Sequence, residues 1–255
     1  RSRTFIPADL ADNPDLANSA QYRATLDGLP DGMRQLLRDG DFRAAMEDDP
    51  MQTIPTAWVE AAMERWEESD GPPTQFISAM GVDVARGGRD QTILSKRYVN
   101  WFDVLEKHPG RSTPDGKLVA QHVLVSLGLD TLPRNGDAVV NVDVTGIGSS
   151  PYDFCIDLGL NAVPVNFGTP TSRFDKSGKL QLYNIRAWLY WTMREALDPD
   201  SGLDLCLPPD PELLGDLTAP KWMLRTGKIL VESKEEIEKR IGRSTDCGDA
   251  VVLAN

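Results

Sequence analysis

The chain has 255 residues, 40% hydrophobic and 26% charged, which is enough for a packed core and incompatible with global disorder. No apolar run approaches the roughly 20 residues of a membrane-spanning helix, which excludes a helical spanning protein; the opening Arg1-Ser2-Arg3 shows neither an initiator Met nor an apolar signal core, so a piece of a longer, non-secreted polypeptide is expected. The 27 basic and 39 acidic side chains give −12, which in bulk weighs against a nucleic-acid partner, yet residues 76–255 hold 20 basic and 24 acidic side chains, and acids there that bind cations would leave a near-neutral working surface.

Residues 1–55 are rich in Asp, Pro and Gly, with one short amphipathic piece at Tyr22–Leu37, and read as an irregular arm. At 56–73 a linker helix is expected. Thr56 is suited to cap it, Trp58, Ala62 and Trp66 share one face, and Gly71-Pro72-Pro73 ends it. From 74 to 255 the pattern is α/β. Gln75–Val84 and Gln91–Val99 read as strands, as does Trp101–Glu106, and Val119–Gly128 as a helix. Ala138–Val144 reads as a central parallel strand, Tyr152–Leu158 as a helix ending at Gly159, and Ala162–Phe167 as a strand. Leu180–Leu197 is predicted as one long helix, and Trp222–Val231 as a hairpin turning at Thr226-Gly227. Lys234–Ile241 is a helix ending at Gly242, and a last helix starts near Ser244. Strands followed by strand–helix alternation predict a mixed sheet with helices on both sides.

Several motifs fail. Gly110–Lys117 has five residues between its glycines and Leu118 where a P-loop needs Ser or Thr. Gly146-Ile147-Gly148 is followed by Pro151 where a dinucleotide fingerprint needs a third glycine. Three dispersed cysteines (Cys155, Cys206, Cys247) argue against a disulfide framework, and two histidines (His108, His122) without a Cys pair argue against structural zinc.

What holds is a set of acids. Asp83 sits at the end of the first strand, Asp143 near the end of Ala138–Val144, and Asp246 and Asp249 lie three apart, which on a helix puts them on one face near its N-terminus. Each has a bland reading: Asp83 as a turn former, Asp143 as a cap, Asp246 as a first-turn helix acid. Jointly they fit convergence at the carboxyl edge of an α/β sheet, where ligands bind. Acids in apolar strands are costly unless paired or bound to a cation, and an all-oxygen set suits Mg²⁺ or Mn²⁺.

Three stretches carry a family resemblance: Gly81-Val82-Asp83-Val84-Ala85-Arg86-Gly87-Gly88-Arg89-Asp90, Val142-Asp143-Val144-Thr145-Gly146-Ile147-Gly148, and Lys239-Arg240-Ile241-Gly242-Arg243-Ser244-Thr245-Asp246-Cys247-Gly248-Asp249-Ala250. With them the chain resembles the C-terminal nuclease domain of the large terminase subunit of tailed bacteriophages, which implies a ribonuclease H-like fold. Departures from the family pattern fall at Ile185, often basic there, and Thr245, often Pro. The resemblance implies a two-metal endonuclease that cuts concatemeric double-stranded DNA, with Asp83, Asp143 and Asp249 catalytic and metal-binding and Asp246 an auxiliary metal-binding acid. It implies two Mg²⁺ or Mn²⁺ ions, with Asp83 bridging them. Arg86, Arg89, Lys234, Lys239, Arg240 and Arg243 become candidate phosphate contacts, although Glu235, Glu236 and Glu238 interleave with the last group as on a solvated helix face. The implied partners are DNA, the terminase ATPase domain, the portal protein and the small subunit, with no membrane. The implied location is the host cytoplasm and, transiently, the procapsid portal. Two other readings remain: a docking module of the packaging motor with weak cleavage, and another ribonuclease H-like enzyme such as a junction resolvase.

Overall fold

The α/β alternation becomes a mixed sheet in the computed structural model, which describes residues 48–85, 90–128, 137–145 and 149–255. Residues 51–255 form one compact unit. The amphipathic piece expected at Tyr22–Leu37 lies outside the described residues, as do Arg86, Arg89 and Gly146-Ile147-Gly148.

Helix α1, Thr56–Glu68, has Pro55 rather than Thr56 at its N-cap; the Thr56 hydroxyl instead accepts from Gln52 Nε2 at 3.0 Å. Its Val59, Ala62 and Met63 are buried in a core shared with later elements, so the helix expected as a linker is packed within the 51–255 unit.

The strands are β1 (Ala79–Asp83), β2 (Gln91–Tyr98), β3 (Trp101–Phe102), β4 (Glu106–Pro109), β5 (Val139–Asp143) and β6 (Ala162–Val165). They run in the order β3-β2-β1-β5-β6, and β4 also pairs with β2. β1 is antiparallel to β2 and parallel to β5, and β5 is parallel to β6. The strand expected at Trp101–Glu106 is split, because the Asp103 carboxylate takes the Val104 N–H at 2.8 Å and turns the chain.

Alternation along each strand decides what the sheet presents on each side. Met80 and Val82 of β1, with Val140 and Val142 of β5, enter a core with helices α2 (Gly116–Ser126) and α3 (Ser149–Asp157). Gly81, Asp83, Asn141 and Asp143 therefore face the other way. That side carries α4 (Ile185–Leu197), α5 (Pro211–Thr218), α6 (Lys234–Ile241) and α7 (Asp246–Ala254). A second core fills it, including Ile93, Phe102, Tyr190, Leu213, Ile229 and Val251. Each fully buried aliphatic side chain contributes roughly 1.5–3 kcal/mol.

α4 starts five residues later than the Leu180–Leu197 pattern predicts. The Asn184 side chain caps it by accepting from Ala187 N, while Gln181 and Leu182 are tied as extended bridges to Phe174 and Ile229. α5 was not predicted, although Asp210 followed by Pro211 is a start signal; Asp210 accepts from the Glu212 and Leu213 N–H groups. The hairpin of β7 (Trp222–Arg225) and β8 (Lys228–Val231) turns as expected at Thr226 and Gly227, at φ of 50° and 78°, the left-handed pair that matches strand twist.

α6 opens with a reciprocal cap. The Ser233 hydroxyl accepts from Glu236 N while the Glu236 carboxylate accepts from Ser233 N at 3.0 Å. This cap fixes Lys234 as the first helical residue. Ser233→Ala is expected to lower stability by about 1 kcal/mol, measured by thermal unfolding. Among the described residues no helix is long and apolar enough to cross a membrane.

Candidate active site

Val82 of β1 pairs in parallel with Val142 of β5, so Asp83 and Asp143, the next residue on each strand, lie side by side at the carboxyl edge. α7 crosses behind them. It comes this close because Gly81 has no side chain, and Asn141 Nδ2 donates to the Leu253 carbonyl at 2.8 Å. Its first turn brings Asp246 and Asp249 to the strand ends.

Lys234 stands among these acids. Its ammonium lies 3.0 Å from Asp83 Oδ2, 3.0 Å from Asp246 Oδ1 and 3.2 Å from Asp249 Oδ2. Asp83 is 3% exposed and Asp249 1%. Asp246 also accepts from Gln91 N at 3.2 Å and from the Ser244 hydroxyl. Asp143 accepts from Thr145 N at 2.8 Å.

Asp249 is held from the far side. Arg186 Nη1 and the Tyr190 hydroxyl both donate to its Oδ1, each at 2.8 Å. Arg186 Nε donates to the Glu232 carbonyl at 2.8 Å, and the guanidinium lies over the Tyr190 ring at 4.7 Å from its centroid. The sequence reading missed both residues. Their only signal was an Arg and a Tyr four apart in the apolar first half of the helix, a spacing that puts both on one face.

The electrostatics divide the acids. Burial raises the proton affinity of Asp83 well above the usual carboxylate range; Lys234 opposes this, and the charges of Asp249, Asp246 and Asp143 add to it. Burial likewise raises Asp143, with Thr145 opposing. Asp249 is as deeply buried, but Arg186, Lys234 and Tyr190 outweigh the burial and keep it below the ordinary value. Lys234 is raised: burial disfavours its charge, and the three carboxylates more than reverse that.

Two cavities meet at this cluster. One of about 300 Å³ is lined by Asp83, Asp90, Asp143, Lys234 and Asp246. Another of about 180 Å³ is lined by Asp143, Phe167, Asn184, Arg186, Lys234 and Asp249. Among the described residues no three His, Cys, Asp or Glu side chains are drawn together as a ready-made metal site; the Lys234 ammonium lies between the carboxylates instead. Of the other basic residues singled out, Lys239 is exposed. Arg240 pairs with Glu232 at 2.6 Å, and Arg243 pairs with buried Asp216.

No family model matches the chain, and no curated protein does. Solved structures do match. The nuclease domain of the large terminase subunit gp2 of bacterial virus Sf6 aligns at a TM-score of 0.58 and 15% identity, covering 80% of this chain and 98% of that one. A mutant of the same domain from bacteriophage Sf6 with calcium aligns at 0.59 and 16% identity, covering 80% and 98%. The same mutant with manganese and beta-thujaplicinol aligns at 0.58 and 15%, again covering 80% and 98%. The mixed sheet with its flanking helices is thus the ribonuclease H-like fold of bacteriophage large terminase nuclease domains.

Proposed function

We propose that the chain is a divalent-metal-dependent endonuclease that hydrolyses double-stranded DNA during phage genome packaging. The observation that carries this is the meeting of Asp83, Asp143, Asp246 and Asp249 at one sheet edge, with the half-buried Lys234 ammonium touching three of them. Burial and mutual repulsion give Asp83 a high affinity for any positive partner, and the donors are all hard oxygens, so the residues fit Mg²⁺ or Mn²⁺. The Sf6 domains of similar fold, obtained with calcium and with manganese, support the same reading.

In this reading Asp83, Asp143 and Asp249 hold two ions and Asp246 assists. Bound there, the ions would neutralise phosphoryl charge, acidify an attacking water and stabilise the leaving 3′ oxygen. The chain's own residues prepare the centre. Asp249 stays ionised through Arg186 and Tyr190. Lys234 keeps its proton and supplies a positive charge beside the strand ends. The partners are double-stranded DNA, the terminase ATPase domain, the portal protein and the small subunit, in the host cytoplasm and transiently at the procapsid portal.

The test incubates the full chain with plasmid in Mn²⁺, in Mg²⁺ and in chelator, and then with four-way junctions and RNA–DNA hybrids. Metal-dependent cutting of duplex DNA, leaving 5′-phosphate and 3′-hydroxyl ends, is expected. Equal cutting in chelator, or a preference for junctions or hybrids, would overturn the proposal.

A further inference from the structure

We infer that Arg186 and Tyr190 are positioning residues that commit one oxygen of Asp249 and leave the other free to ligate a divalent cation. The inference rests on the metal-dependent reading above and deepens it.

A guanidinium beside a carboxylate ordinarily spans both oxygens with two parallel bonds. Arg186 does not. Its Nε is spent on the Glu232 carbonyl, its Nη1 on Asp249 Oδ1, and its Nη2 is buried without a hydrogen-bond acceptor. The second donor to Asp249 is the Tyr190 hydroxyl, and it goes to the same Oδ1. Two short bonds from side chains at most 5% exposed therefore saturate one oxygen.

The other oxygen is held more loosely. Asp249 Oδ2 meets Lys234 at 3.2 Å and the Thr245 hydroxyl at 3.3 Å. Lys234 sits on a flexible stem and its side chain is 31% exposed, so its contact is exchangeable where those of Arg186 and Tyr190 are not. Oδ2 lies on the side of Asp83 and Asp246, because the same ammonium touches all three carboxylates. A ligand fixed in this way binds through one oxygen in one direction, and partners that orient metal ligands typically govern affinity by about 10–100-fold.

The experiment titrates Mn²⁺ into the full chain, following free Mn²⁺ by electron paramagnetic resonance, with thermal unfolding measured alongside. Tyr190→Phe removes only a hydroxyl; Arg186→Lys keeps the charge but loses the fork. Both are expected to weaken Mn²⁺ binding by roughly tenfold or more. Leu197→Ala, a core truncation at the far end of α4, is expected to lower the melting point and leave Mn²⁺ binding unchanged. Wild-type affinity in a folded Tyr190→Phe, or equal weakening in Leu197→Ala, would overturn the inference. Asp249→Asn separates this from the larger reading. If it weakens binding while the positioning variants do not, the metal centre stands and the positioning role falls. If the wild-type chain binds no Mn²⁺, both fall.

Discussion

Asp83→Asn is expected to lower Mn²⁺-dependent plasmid cleavage by more than about a hundredfold, beyond the range usual for residues that only orient a ligand. Asp83 lies between the other acids: its carboxylate feels Asp249, Asp246 and Asp143 at once and touches Lys234 at 3.0 Å. No neighbouring side chain can take its position, because it ends the strand at the centre of the sheet. The amide has the same volume and removes a buried charge, so the fold should survive with stability unchanged or improved. Cleavage assays paired with thermal unfolding read both effects. Undiminished cutting by the folded variant would remove Asp83 from the chemistry.

Gly81→Ala should damage the fold and the site together. A Cβ at 81 would lie 1.9 Å from the Ala250 carbonyl oxygen, 2.7 Å from Ala254 N and 2.9 Å from Leu253 Cβ. Two of these are backbone atoms of α7, so no rotamer change relieves the overlap and the helix must move. Overpacking of this kind costs about 3 kcal/mol or more, roughly 6–12 °C in melting temperature for a domain of this size. The displaced helix carries Asp246 and Asp249 away from Lys234, so cleavage should fall in the remaining folded protein. Differential scanning calorimetry with an activity assay below the transition checks this. An unchanged melting point would mean that α7 does not seat on Gly81.

The strands that bear the acids were legible as short runs rich in apolar residues with the acid near the end, as in Met80-Gly81-Val82-Asp83 and Val140-Asn141-Val142-Asp143. The turn at Thr226-Gly227 and the helix Lys234–Ile241, ended by Gly242, were legible from local chemistry, since both glycines take the left-handed conformation there. What was not legible depended on long-range contacts. Leu180–Asn184 has a helical pattern, yet Leu182 bridges to Ile229 and Asn184 caps, so the helix begins later. Lys234 read as one of several surface cations interleaved with glutamates. Only the packing of α6 against the strand ends turns it inward, where three carboxylates separated by up to 166 positions in sequence surround it. Arg186 and Tyr190 gave no signal beyond their spacing, because their role exists only once α7 lies beside α4.

The charge inventory of this pocket has a kinetic side. Asp83, Asp143, Asp246 and Asp249 face one ammonium and one guanidinium, which leaves a surplus of negative charge in a recess with low-dielectric walls. Such a recess focuses its field outward. On the proposed reading, that field would hold off a bare polyanion and gather divalent cations at the strand ends before the two meet.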